Sequence, residues 1–176
     1  MMNPAMRVTA DEERVVRAWS VLGQVLDPEV PALSVCDLGI VRDVRPQGDG
    51  VEVVLTPTYS GCPATEVIER SVVEAIELAG LGPVTVTLQR APAWTTDWIS
   101  DEGRRKLREY GIAPPSGSAA VAAEQPIRIL RREPVLECPR CGSVNTERLS
   151  AFGSTACKAL YRCIACKEPF EYFKPI

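Results

Sequence analysis

Four cysteines stand out for their spacing. Cys138 and Cys141 form one Cys-x-x-Cys pair, and Cys163 and Cys166 form another. A tight turn aims both thiolates of such a pair the same way. Two pairs brought together offer four sulfurs in a tetrahedron, the arrangement that closed structural zinc sites use. One zinc per chain is therefore expected in the C-terminal region. The same four sulfurs also suit a single iron of the rubredoxin kind, although Cys163-Ile164-Ala165-Cys166-Lys167 lacks the glycine such loops often carry. Cys62, just before Pro63 at the mouth of an expected helix, is a thiol of another sort. Backbone N–H groups and the helix dipole there stabilise a thiolate, which can act as a nucleophile or a transient metal ligand. A small buried cysteine at a tight turn is the other reading. Asp27, Glu29 and Asp37 precede the first hairpin. They either approach Cys62 and help hold a metal, or cap and shape turns. Cys36 reads as core. Cys157 reads either as a packed thiol or as a fifth sulfur near the metal, six residues before Cys163 on an expected strand.

The chain has 176 residues, enough for one medium domain and a small one, with 45% hydrophobic residues and a formal charge of −3. The acidic balance argues against a nucleic-acid partner. The opening residues, MMNPAMRVTADEER, have no apolar core, and no apolar run approaches the length of a membrane span. A cytoplasmic location away from membranes is expected, and seven cysteines there imply metal or thiol chemistry rather than disulfides. Histidine is absent. That excludes His-containing zinc sites, the two-His-one-carboxylate iron site, His-ligated haem and His-based triads. There is also no Gly-rich dinucleotide fingerprint and no Walker A loop. An independent oxygenase or hydrolase of the common kinds is therefore not expected.

The elements that must position these groups can be read in order. Thr9 and Glu12 form a capping box opening a helix, with Val15, Val16, Trp19, Leu22 and Val25 as its apolar stripe. Residues 40–44 and 51–56 read as an antiparallel hairpin across a Gly-rich turn. A helix follows Pro63, carrying Val67, Ile68, Val72, Val73, Ile76 and Leu78. A strand at 84–88 is expected to pair in parallel after this crossover. Trp94 and Trp98 precede a short helix opened by Ser100 and ended by Gly111. Residues 114–126 read as a linker and Ile127–Leu130 as a strand joining the ribbon or the sheet. Lys158, Arg162 and Lys167 make the ribbon locally basic. The fold class is thus α/β (α+β): a compact module at 9–113 with a small mixed sheet and flanking helices, the linker, and a four-cysteine zinc ribbon at 127–176.

Three segments of the first module carry a resemblance. Asp27-Pro28-Glu29, Asp37-Leu38-Gly39-Ile40-Val41 and the Thr-rich turn Thr56–Pro63 resemble the small α/β family that includes SufT and the eukaryotic cytosolic iron–sulfur targeting factors. That family's reactive cysteine corresponds to Cys62. The whole chain, through PTYSGCPATEVIE, PAWTTDWIS, EGRRKL, YGIAPP, CPRCGS, FGSTACKALYRC and EPFEYFKP, resembles the PaaD family, the accessory D subunits of phenylacetyl-CoA epoxidase (ring 1,2-epoxidase) systems. The resemblance implies a non-catalytic maturation role in aerobic phenylacetate degradation. A zinc ribbon and a transient iron or iron–sulfur ligand at Cys62 would go with it. Its implied partners are the oxygenase and reductase subunits, with iron–sulfur assembly proteins. A structural or electron-transfer subunit of the same complex is the alternative.

Overall fold

The computed structural model describes residues 9–59, 64–116 and 134–176. Two compact units emerge, Met1–Ala93 and Trp94–Ile176. The break lies before the expected border at 113. Ile112 and Ala113 are hydrogen-bonded to a strand near the C-terminus, so the segment after Ala93 groups with the second unit. The expected strand at Ile127–Leu130 and most of the expected linker lie outside the described residues.

In the first unit, α1 spans Ala10–Leu22. Its capping box forms as expected: the Glu12 N–H donates to Thr9 Oγ1 at 3.2 Å, and the Thr9 N–H donates to Glu12 Oε2 at 2.7 Å. These bonds hold the Glu12 carboxyl below its ordinary value. The stripe is shifted from expectation. Ala18, Leu22 and Val25 are buried, whereas Val16 is 67% exposed and Trp19 lies at the surface. Apolar residues lie on more than one side of this helix. Tertiary contact, not periodicity, selects the phase, and the small Ala18 sits on the inward line. Arg17 Nη2 donates to Ala79 O at the end of the next helix, and Arg14 Nη1 to Gly48 O and Gly50 O in the hairpin turn.

Strands β1 (Val41–Gln47) and β2 (Gly50–Leu55) form the expected hairpin, with a bulge between Val41 and Asp43. Helix α2 (Ala64–Leu78) buries Ala64, Ile68, Val72 and Ile76. Leu78, expected on that face, is 90% exposed. The chain then enters β3 (Val84–Leu88), which pairs in parallel with β2 and gives the mixed order β1-β2-β3. Gly50 is required where the hairpin turn meets this strand. A Cβ there would lie 1.7 Å from Pro83 O, a backbone atom with no room to retreat. The core is made of Leu22, Leu33, Val35, Val51, Val53, Leu55, Val72 and Ile76, all essentially solvent-free.

The second unit opens with Trp94, buried against Phe173 at 6.2 Å between ring centroids. Helix α3 (Asp101–Tyr110) starts on Ser100, whose Oγ accepts the Gly103 N–H. It ends on Gly111 at φ 95°, a left-handed cap that suits glycine. Strand β4 is only Ile112–Ala113. With β5 (Thr146–Ser150), β6 (Lys158–Cys163) and β7 (Pro169–Phe173) it makes a sheet of order β4-β7-β6-β5. The apolar core of the ribbon is small: Ala113, Leu136, Ala159, Tyr161, Phe170 and Tyr172, with Cys138 and Cys163 among them. Lys158, expected on a basic surface, is instead buried. Its Nζ lies 2.8 Å from Glu171 Oε2 on β7, an exchange of solvent for an ion pair. Glu171 Oε1 also accepts the Ser154 N–H, which ties down the β5–β6 loop.

Candidate metal centre

Each Cys-x-x-Cys pair sits on a turn of the same build. In the first, the Cys138 N–H donates to Ser143 O and Gly142 N–H donates to Cys138 O, both at 2.9 Å. In the second, the Cys163 N–H donates to Glu168 O at 3.0 Å and Lys167 N–H donates to Cys163 O at 2.9 Å. The residue after the second cysteine takes a left-handed conformation in both, Gly142 at φ 72° and Lys167 at φ 67°. Glycine does this freely. For lysine it is strained, which explains why the second turn does not announce itself by composition.

The two turns bring four sulfurs together. All four Sγ atoms lie within 4.8 Å of one another. Cys138 Sγ is 3.7 Å from Cys166 Sγ, and Cys141 Sγ is 3.6 Å from Cys163 Sγ. A tetrahedron with zinc–sulfur bonds near 2.3 Å has edges of about 3.8 Å, so the donor set fits the ion. The separations are far too long for disulfides. The electrostatics agree. The Cys166 N–H is the largest influence on Cys163. Against the burial that opposes ionisation, it acts with the Cys166 thiol, the Ala165 N–H and the Cys141 thiol to pull Cys163 down to about 6. At Cys166 the Glu168 N–H favours the thiolate, but burial and the thiols of Cys163, Cys141 and Cys138 outweigh it and push this group up to about 12. One thiolate forms easily here. A full set needs a cation to offset their mutual repulsion.

Cys157 lies outside this cluster. It is buried, and its Sγ is 3.0 Å from Thr155 Oγ1. Cys36 is half-buried. Burial first and the charge of Asp37 second push its thiol up to about 11, which leaves it neutral and unreactive near pH 7.

Cys62 lies outside the described residues. The acids expected near it are placed. Asp27 is buried, and its Oδ1 accepts the N–H groups of Glu29 at 2.9 Å and Val30 at 2.8 Å. Asp37 is buried too. Its Oδ2 accepts from the Ser34 N–H and Oγ–H, both at 2.9 Å, while Ser34 Oγ accepts the Asp37 N–H at 3.0 Å. Both carboxylates thus brace the loop between α1 and β1, and the Glu29 backbone is held by the first. A further group carries no signal in its residue type. Thr56, just past the end of β2, is 1% exposed, yet its Oγ1 has no hydrogen-bond partner among the described residues. A buried hydroxyl without a partner is costly, and only the fold reveals it.

The chain is 51% identical over 163 residues to an Escherichia coli (strain K12) protein provisionally named as the D subunit of 1,2-phenylacetyl-CoA epoxidase, covering 93% of this chain and 94% of that one. The chain belongs to the PaaD family. Residues 122–174 match the PaaD zinc beta ribbon domain, which covers the four cysteines, and residues 16–88 match the iron–sulfur cluster assembly protein family. Among solved structures, a domain of unknown function (DUF59) from Bacillus anthracis aligns with a TM-score of 0.52 at 23% identity, over 56% of this chain and 94% of that one. That likeness supports the fold of the first unit. A conserved hypothetical protein of Thermotoga maritima is 34% identical over 58% of this chain and 98% of that one, with a TM-score of 0.45. As a PaaD-family chain, the protein joins an assembly-type α/β module to a cysteine-bearing ribbon. No helix among its described residues is long and apolar enough to cross a membrane.

Proposed function

We propose that this chain is a non-catalytic accessory protein of a phenylacetyl-CoA epoxidase system, acting in the cytoplasm during aerobic phenylacetate degradation. It assists assembly of an iron–sulfur or iron centre in an oxygenase or reductase subunit. The observation that carries this reading is the match to the E. coli relative over 93% of this chain, in a chain where the assembly-family module and the ribbon occur together. Cys138, Cys141, Cys163 and Cys166 would hold the zinc, which would cross-link the two turns of the ribbon. The ribbon then serves as a docking surface for the client subunit.

The working group in this reading is the Cys62 thiolate, a transient ligand for the iron or cluster in transfer. The carboxylates of Asp27 and Asp37 hold the loop between α1 and β1 by accepting its N–H groups. Glu29 adds a third carboxylate to that loop. The chain contains no histidine, so it brings no His-carboxylate iron site of its own, which suits an assistant better than an oxygenase. The test is Cys62→Ala in cells that depend on the epoxidase. The variant is expected to keep the wild-type melting temperature and zinc content while oxygenase activity falls at least about tenfold, the scale on which loss of a metal-handling group is felt. Unchanged activity with the folded variant would rule out the thiol role.

A further inference from the structure

The loop between β5 and β6 is built of small residues around one large one. Phe152 stands among Ala151, Gly153, Ser154 and Ala156, and 64% of it is exposed. Small side chains give such a loop little to pack with, yet each residue from Ala151 to Ser154 has a backbone group fixed. Lys174 Nζ donates to Ala151 O at 3.2 Å, and the Phe152 N–H to Ser150 Oγ at 3.2 Å. The Gly153 N–H donates to Lys158 O at 2.8 Å, and the Ser154 N–H to Glu171 Oε1 at 2.5 Å. Lys174 Nζ also lies 4.5 Å from the centroid of the Phe152 ring, a cation–π contact that orients the ring. The Ser154 bond hangs on the Lys158–Glu171 pair. An ion pair taken out of water adds little net stability, so what this one contributes is the geometry it fixes. That geometry holds an aromatic ring out in solvent.

We propose that Phe152 is the anchor of a protein-docking knob, and that its occupant is an apolar pocket on a client subunit with a carboxylate at its rim. This rests on the docking role proposed above for the ribbon and names the residues that carry it. Shape sets the first half of the partner's chemistry. A ring standing on small neighbours is convex and calls for a concave apolar partner. Aromatic anchors dominate the energy of interfaces, and one held in place beforehand loses little freedom on docking. Charge sets the second half. The Lys174 ammonium has three donors, of which Ala151 O takes one, so a carboxylate approaching the ring meets a cation already in position. Basic residues outnumber acidic ones from Trp94 on, which favours an acidic partner over a basic one. Leu149, three residues before Phe152 and 49% exposed, adds apolar area.

Calorimetry of the zinc-loaded full chain against each purified oxygenase and reductase component of a phenylacetyl-CoA epoxidase system, across a salt series, tests this. One component is expected to bind. Phe152→Ala should weaken that binding at least about tenfold, with zinc content and melting temperature retained because the ring is mostly exposed. Phe152→Leu, which keeps an apolar knob, should recover most of the loss. Lys174→Gln should weaken binding less and flatten its salt dependence. A folded Phe152→Ala chain that binds as tightly as wild type would overturn the anchor while leaving the docking role in place. Binding that depends on Phe152 but is indifferent to salt and to Lys174→Gln would overturn the carboxylate rim. Failure of the wild-type chain to bind any component would remove the knob and the docking role together.

Discussion

The two units hold themselves together by different means. The first buries a continuous set of branched aliphatic side chains between two helices and one sheet face, and no cysteine of its described residues belongs to the sulfur cluster. The second has a core of eight residues, mostly small or aromatic, two of which are cysteines of the cluster itself. Acidic residues outnumber basic ones up to Ala93, and the reverse holds after it. A module that folds on apolar burial need not spend a thiol on stability, which leaves thiols available for transient chemistry. A ribbon this small must commit its sulfurs to the fold.

The largest expected effect breaks this comparison in two. Chelation, or Cys138→Ser or Cys163→Ser, should unfold the ribbon, since a structural zinc contributes about 10–16 kcal/mol of apparent binding energy in small zinc domains. The first unit should stay folded. Amide exchange resolved by segment, with metal content measured alongside, reads both halves at once. Ile76→Ala is the mirror experiment. It should destabilise the first unit by about 2–5 kcal/mol without releasing zinc.

Smaller effects sharpen the contrast within the ribbon. Lys167→Gly should raise its stability by about 1 kcal/mol, because glycine adopts the left-handed conformation without strain. A denaturant titration of the zinc-bound protein would detect it. Glu171 lies below its ordinary carboxyl value. Burial opposes this, but the Lys158 ammonium and the Ser154 N–H prevail. Its contribution is therefore fully present above the unfolded carboxyl's value and lost as pH falls through the lowered folded one. The melting-temperature difference between wild type and Glu171→Gln should be flat from pH 6 to 8 and shrink below about 4.3.

What could be read from sequence follows a physical line. Cys138/Cys141 and Cys163/Cys166, the Thr9–Glu12 box, the Ser100 cap and the hairpin are local devices whose geometry is set by spacing of a few residues. The exposed Val16, the buried Lys158 and the early unit boundary are not local. Val16 and Ala18 lie on different sides of one helix, and only the packing partner decides which is inward. Lys158 is buried because Glu171 waits on the neighbouring strand. Ile112–Ala113 looks like the end of one module, but its pairing partner, β7, lies about sixty residues on. At the candidate sites the cysteine cluster was legible in full, whereas the Thr56 hydroxyl, without a partner among the described residues, emerged only from the fold.

The central claim is that this chain acts while a metal centre is being assembled. The direct test is to co-produce the other epoxidase components with and without it, purify each preparation, and record iron content and phenylacetyl-CoA-dependent turnover before and after adding the purified chain. Low iron and low turnover are expected without the chain, with no immediate recovery when it is added back. Full iron, with turnover restored at once on mixing, would contradict the claim and make the chain a working subunit or electron carrier.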